Sequence, residues 1–134
     1  MNKTNNNNEL LAGTCLLLSI SKSDGTIEQS EIEIIKDIIR DFFNCDLSLL
    51  DETISIGIKE LNESTDIYEF SKILNNSFTY QDKIDFISCT FEVAFADGEI
   101  HYLEDHFIKK IANILNVEHS DLINSKKYIQ KYLQ

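Results

Sequence analysis

Proline is absent from this chain of 134 residues. Its turns must therefore rest on glycine, asparagine, serine and aspartate. The absence also excludes a His-Pro-Asp tripeptide, and with it a J-domain co-chaperone role. Glycine is scarce, at four residues, which leaves little room for a phosphate-cradling loop. There is no Gly-x-Ser-x-Gly elbow and no His-Glu-x-x-His zinc pair. His101 and His106 are five apart, so they point to different faces of one helix. His119 opens the next helix. No nucleophile, base and orienting group share a workable spacing, so a non-enzymatic role is expected.

Cysteine is also sparse. Cys15, Cys45 and Cys89 form no Cys-x-x-Cys pair and are odd in number. Each lies in or beside an apolar stretch, as small core residues of a reducing compartment do. Long apolar runs are missing. The stretch Leu10–Ile20 is interrupted by glycine, threonine and serine and is too short to span a bilayer. No signal peptide is visible ahead of it, and a cytoplasmic location is expected. Positive charge is in deficit, with 12 basic against 23 acidic side chains and a net charge of −11. A phosphate backbone would be repelled, so nucleic acid is not an expected partner.

What is present suits one domain. The length fits a single unit, and 43% hydrophobic residues can build a core at this size. The charge is uneven: residues 1–104 carry a net −13 and residues 105–134 a net +2. Lys109, Lys110, Lys126, Lys127 and Lys131 supply that positive end. Helix-end lysines opposing the macrodipole are the plainer account of them. Peripheral binding to an anionic membrane is the other.

An internal repeat dominates the chain. Ser21–Glu31 is echoed 73 positions later at Ala94–Glu104. Asp24-Gly25 matches Asp97-Gly98, Ile27 matches Ile100, and Glu31 matches Glu104. The apolar register continues outward, with Ile35 on Ile108, Ile38 on Ile111, Phe42 on Leu115 and Leu49 on Leu122. Such self-similarity indicates one helical unit used twice. Apolar residues recur at three and four throughout, with no alternating stretch, so all segments are expected to be helical. Residues 1–7 read as a disordered polar leader and 8–134 as the domain. Helices are expected at about 8–22, 28–44, 48–61, 67–75, 80–96, 101–115 and 120–133. The plan is three helices, a connecting helix, then three helices, with the first placed centrally and Tyr68, Phe70, Ile73 and Leu74 of the fourth turned inward.

The repeated Asp-Gly-x-Ile-x-x-x-Glu matches the second half of an EF-hand loop. The first half is wrong for calcium. Its first and third ligand positions fall on Ile20 and Lys22, and on Val93 and Phe95, none of which offers a side-chain oxygen. An ordinary EF-hand is therefore rejected. Architecturally, Gly25 and Gly98 end helices, Ile27 and Ile100 pin the turns to the core, and Glu31 and Glu104 can accept open N–H groups. Glu28 and His101 are poor caps, which favours Asp24 and Asp97 as further donors of oxygen. Functionally, pseudo-symmetry could bring Asp24, Glu31, Asp97 and Glu104 together, with Glu28, Glu99 and His101 at the edge. Clustered carboxylates at pH 7 call for a cation between them. No cofactor is required by the sequence; a divalent ion is the one these turns could hold.

At these turns the chain resembles the TerB family, the tellurite-resistance B-like proteins. Ala94–Ile100 with Glu104, the partial copy at Asp24–Glu31, and Ile108–Leu115 leading to His119–Ile123 carry the likeness. It extends over nearly all the chain after residue 8 and is closest to the stand-alone, single-domain branch. The resemblance implies an all-α, seven-helix bundle with two pseudo-symmetric three-helix halves. It also implies a link to tellurite or metal stress through protein partners near the inner membrane, with Asp24, Glu31, Asp97 and Glu104 involved. The first copy departs from the pattern, with Ser21-Lys22-Ser23 in place of small and apolar residues. The expected function is an adaptor showing its acidic face to a protein partner. The alternative is a divalent metal-ion binding or sensing protein.

Overall fold

The computed structural model describes residues 7–23, 25–63, 66–96 and 98–133. They form seven helices, with no strand among the described residues. These are α1 (Asn7–Lys22), α2 (Gln29–Phe43), α3 (Leu47–Glu63), α4 (Ile67–Ser77), α5 (Tyr80–Ala94), α6 (Tyr102–Ile114) and α7 (His119–Tyr132). Expected and observed ends agree closely. Asn7 already belongs to α1, and the rest of the expected leader lies outside the described residues.

Helix α1 is the centre. Every residue from Ala12 to Ser21 is buried, because α2, α3, α4, α5 and α6 all pack against it. A helix surrounded in this way must be apolar on all faces. Its hydroxyls are handled locally: Thr14 Oγ1 donates to the Leu10 carbonyl and Ser19 Oγ to that of Cys15, both at 2.8 Å. Ser21 Oγ and Ser71 Oγ are fully buried and have no hydrogen-bond partner among the described residues. Two glycines allow close approach. A Cβ on Gly57 of α3 would stand 2.8 Å from Leu18 Cδ1, and one on Gly13 would stand 2.7 Å from Phe43 Cζ. Phe42, Phe43, Phe78 and Phe86 form one aromatic cluster, with ring centroids 4.9–6.3 Å apart. Burying each such ring is worth roughly 1.5–3 kcal/mol.

The two halves are α1–α2–α3 and α5–α6–α7, joined by α4, which packs mainly on α1. Asp66 caps α4, accepting from Tyr68 N at 3.0 Å and Glu69 N at 3.4 Å. Tyr68 departs from the expected inward set. It is 52% exposed, and the Lys72 ammonium lies 6.0 Å from its ring centroid.

The repeat is visible in backbone bonds. Ser23 N to Ile20 O (3.3 Å) is mirrored by Ala96 N to Val93 O (3.2 Å), and Gly25 N to Lys22 O (3.0 Å) by Gly98 N to Phe95 O (2.9 Å). The 73-residue offset holds in burial through Ile39 and Ala112, then becomes 72. The fully buried partners are Phe43 with Leu115 and Leu50 with Leu122, while Phe42 and Leu49 are only partly buried. This corrects the pairing of Phe42 with Leu115 and Leu49 with Leu122. Both helices stop on a left-handed asparagine, Asn44 (φ 53°) and Asn116 (φ 60°). Each stop is closed by a Schellman bond, Cys45 N to Arg40 O at 3.2 Å and Val117 N to Ala112 O at 2.9 Å. The second copy reaches that stop one residue sooner.

Candidate functional site

The glycines of both Asp-Gly turns take positive φ, 136° at Gly25 and 101° at Gly98. Side-chain-bearing residues avoid that region, which explains the choice. The chain then enters the next helix in the same way twice. Glu28 (φ −79°, ψ 151°) and His101 (φ −82°, ψ 152°) occupy the N-cap positions. Glu31 Oε1 accepts from Glu28 N at 2.9 Å, and Glu104 Oε1 accepts from His101 N at 3.1 Å. These are the reach-back halves of capping boxes, which also place negative charge against the helix N-terminus. Glu104 is 1% exposed, whereas Glu31 is partly exposed.

Asp24 and Asp97 lie outside the described residues. Of the other expected site residues, Glu28 and Glu31 meet at the start of α2, and His101 and Glu104 at the start of α6; Glu99 is exposed in the second turn. Among the described residues, no three His, Cys, Asp or Glu side chains form a group that could hold a metal ion.

The turns differ in their surroundings. Ile27 and Ile100 both pack on the core. Ile27 shares a hollow of about 300 Å³ with Ile32, Ile58, Leu61, Lys22 and Asn62. Where the second copy buries Phe95 (7% exposed), the first carries Lys22. Lys22 Nζ instead swings out to Asn62 Oδ1 on α3, at 2.9 Å. Asp105 stands where the first copy has Ile32. It accepts from Lys126 Nζ at 3.0 Å and pairs with Lys109 at 3.1 Å. Burial alone would raise the Asp105 carboxyl, but the bonds and charges of Lys126 and Lys109 outweigh it and lower it. Two of the five C-terminal lysines are thereby paired within the chain.

A second feature was not anticipated from the sequence. Between α2 and α5 lies a groove of about 400 Å³, lined by Ile34, Asp37, Ile38, Asp41, Phe42, Cys89 and Glu92. Burial, and then the charge of Asp41, raise the Glu92 carboxyl. No hydrogen bond or ion pair links Glu92 to a described residue. Arg40 is shared between Asp37 at 3.4 Å and Asp41 at 3.2 Å. The groove could have been found in the heptad steps. Positions 34, 37, 38 and 41 make one stripe of α2, and 85, 89 and 92 one stripe of α5, both mixing acids into an apolar face.

Burial pushes the Cys15 and Cys89 thiols up to about 12, aided by Glu60 for Cys15 and by Glu92, Asp85 and Asp41 for Cys89. Burial and Asp46 also raise Cys45. All three are free thiols and stay protonated at neutral pH, which makes them poor nucleophiles. The second half is latched by Tyr80. Its hydroxyl donates to Asp121 Oδ2 at 2.5 Å and accepts from Glu118 N at 3.0 Å, tying the starts of α5 and α7 together. No helix among the described residues is long and apolar enough to cross a membrane.

Seven helices in two like halves, each with a glycine turn and a reach-back glutamate between its first and second helices, define an all-helical domain built on an internal repeat. The chain belongs to the TerB family: residues 10–127 match the family described as Tellurite resistance protein TerB. No curated protein and no solved structure matches it.

Proposed function

We propose that this TerB-family chain is a non-enzymatic adaptor that presents an acidic face to a protein partner, within a response to tellurite or metal stress. The α2–α5 groove carries the proposal, because its floor is apolar, its rim is acidic and Glu92 has no cation of its own. Half-buried charge without a counterion costs stability and suits a surface meant to be covered. The free, protonated thiols go with a reducing compartment such as the cytoplasm. Affinity capture with the purified chain, run with and without chelator, tests this. A specific partner that survives chelator and is lost at high salt supports it. Enrichment no better than with an unrelated acidic helical protein overturns it.

The ion-binding alternative depends on Asp24 and Asp97 joining Glu31 and Glu104. The two glutamates already serve as caps, and nothing among the described residues favours that alternative. Magnesium, calcium or zinc raising the melting temperature would revive it.

A further inference from the structure

We infer that the α2–α5 groove seats a short basic amphipathic helix of the partner protein, a step that rests on the adaptor function proposed above. Its volume of about 400 Å³ admits a few side chains of a partner. Its α2 wall runs from Ile34 to Phe42, about two helical turns. A helix offering apolar anchors at i, i+3, i+4 and i+7 matches a wall of that length. Ile34, Ile38 and Phe42 receive the anchors, and Phe42 is braced by Phe43, Phe78 and Phe86. Asp37, Asp41 and Glu92 stand along the rim.

Charge selects the occupant. An anionic lipid surface or a nucleic acid would be repelled by this rim. A bare metal ion finds no group of three ligands among the described residues. A lysine or arginine approaching Glu92 would supply the counterion that the chain does not. Arg40 is not that counterion: its Nη1 faces Asp37 and its Nε faces Asp41, and it makes no ion pair with Glu92.

The probe is a synthetic peptide of about 15 residues, long enough for four turns, with leucines at the anchor spacing and lysines beside them. It is titrated into the full chain by calorimetry and by methyl NMR. Binding with shifts at Ile34 and Ile38 is expected. Asp41→Asn with Glu92→Gln should weaken it at least tenfold, and Glu92→Gln alone at least threefold. Glu63→Gln with Glu69→Gln removes equal charge from exposed positions elsewhere and should change it less than twofold. Equal losses in both double variants, shifts away from α2 and α5, or spermidine binding as tightly as the peptide would each overturn the inference. So would concentration-dependent self-association abolished by Glu92→Gln, which would give the groove to a second copy. If peptide binding fails but a specific partner is still captured, and Glu92→Gln leaves that capture intact, the groove assignment falls and the adaptor function stands.

Discussion

Glu104 holds the backbone N–H of His101 at 3.1 Å from a position closed to solvent. Glu31 makes the same bond to Glu28, at 2.9 Å, from a partly exposed one. The identical cap should therefore carry unequal weight. Glu104→Ala is expected to cost roughly 2–3 kcal/mol and Glu31→Ala roughly 0.5–1 kcal/mol. Urea midpoints measure both; equal costs would show that burial adds nothing to the cap.

Asp105 joins α6 to α7, two helices that make little direct backbone contact. Its carboxyl is lowered in the folded protein. The stabilisation is therefore complete above the unfolded value, about 3.9, and is lost as pH falls through the folded one. Asp105→Asn should cost about 1–2 kcal/mol at pH 7. The cost should shrink toward the acid limb, as melts at pH 7, 4 and 3 would reveal. A cost independent of pH would mean the ion pairs are idle.

Glu92 has the opposite sign. Its carboxyl is raised in the folded state by burial and by Asp41, so ionisation penalises the native protein. That penalty is absent well below the unfolded value, about 4.3, and fully present above the folded one. Glu92→Gln should stabilise the free protein at pH 7 by less than about 1 kcal/mol and be neutral near pH 3. Destabilisation at pH 7 would reveal a partner for the carboxylate within the chain.

Gly57 and Gly13 are places where one methyl group does not fit. Gly57→Ala would drive Cβ against Leu18, and Gly13→Ala would drive it against the buried Phe43 ring. Each should cost about 1–3 kcal/mol despite the better helix propensity of alanine. A rise in melting temperature in either variant would refute the close packing described.

Ser21 occupies the place that Ala94 holds in the second copy. Its hydroxyl is fully buried with no partner among the described residues, and Ala94 is 1% exposed. Ser21→Ala should stabilise by about 0.5–1.5 kcal/mol. A loss of similar size would show that the hydroxyl is satisfied.

Much of the fold was legible because it is written in periodicity. The spacing of Ile34, Ile35, Ile38 and Ile39 marks α2, and the repeat marks the two halves. The capping role of Glu31 and Glu104 was also legible, since a glutamate three residues into a helix has a local job. The register change beyond Ala112 was not, because Phe42 and Phe43, or Leu49 and Leu50, are adjacent apolar residues and either could face inward. Tyr68 looked like core for the same reason, yet its ring stands in solvent beside the Lys72 ammonium. The α2–α5 groove went unseen because Asp37, Asp41 and Glu92 look like ordinary surface acids. The acids mixed into the apolar stripes of α2 and α5 hint at a half-covered face, and the packing of the two distant helices puts them beside the same hollow.

The early stop of α6 has a mechanical meaning. One residue of helix is roughly 100° of rotation and 1.5 Å of advance. By leaving α6 at Asn116, one residue short of the first copy's count, the chain sets the azimuth at which α7 begins, and so turns Leu122, Ser125 and Ile129 toward the interior. The missing residue thus acts as a phase setting, and restoring it would spin the last helix off its seat.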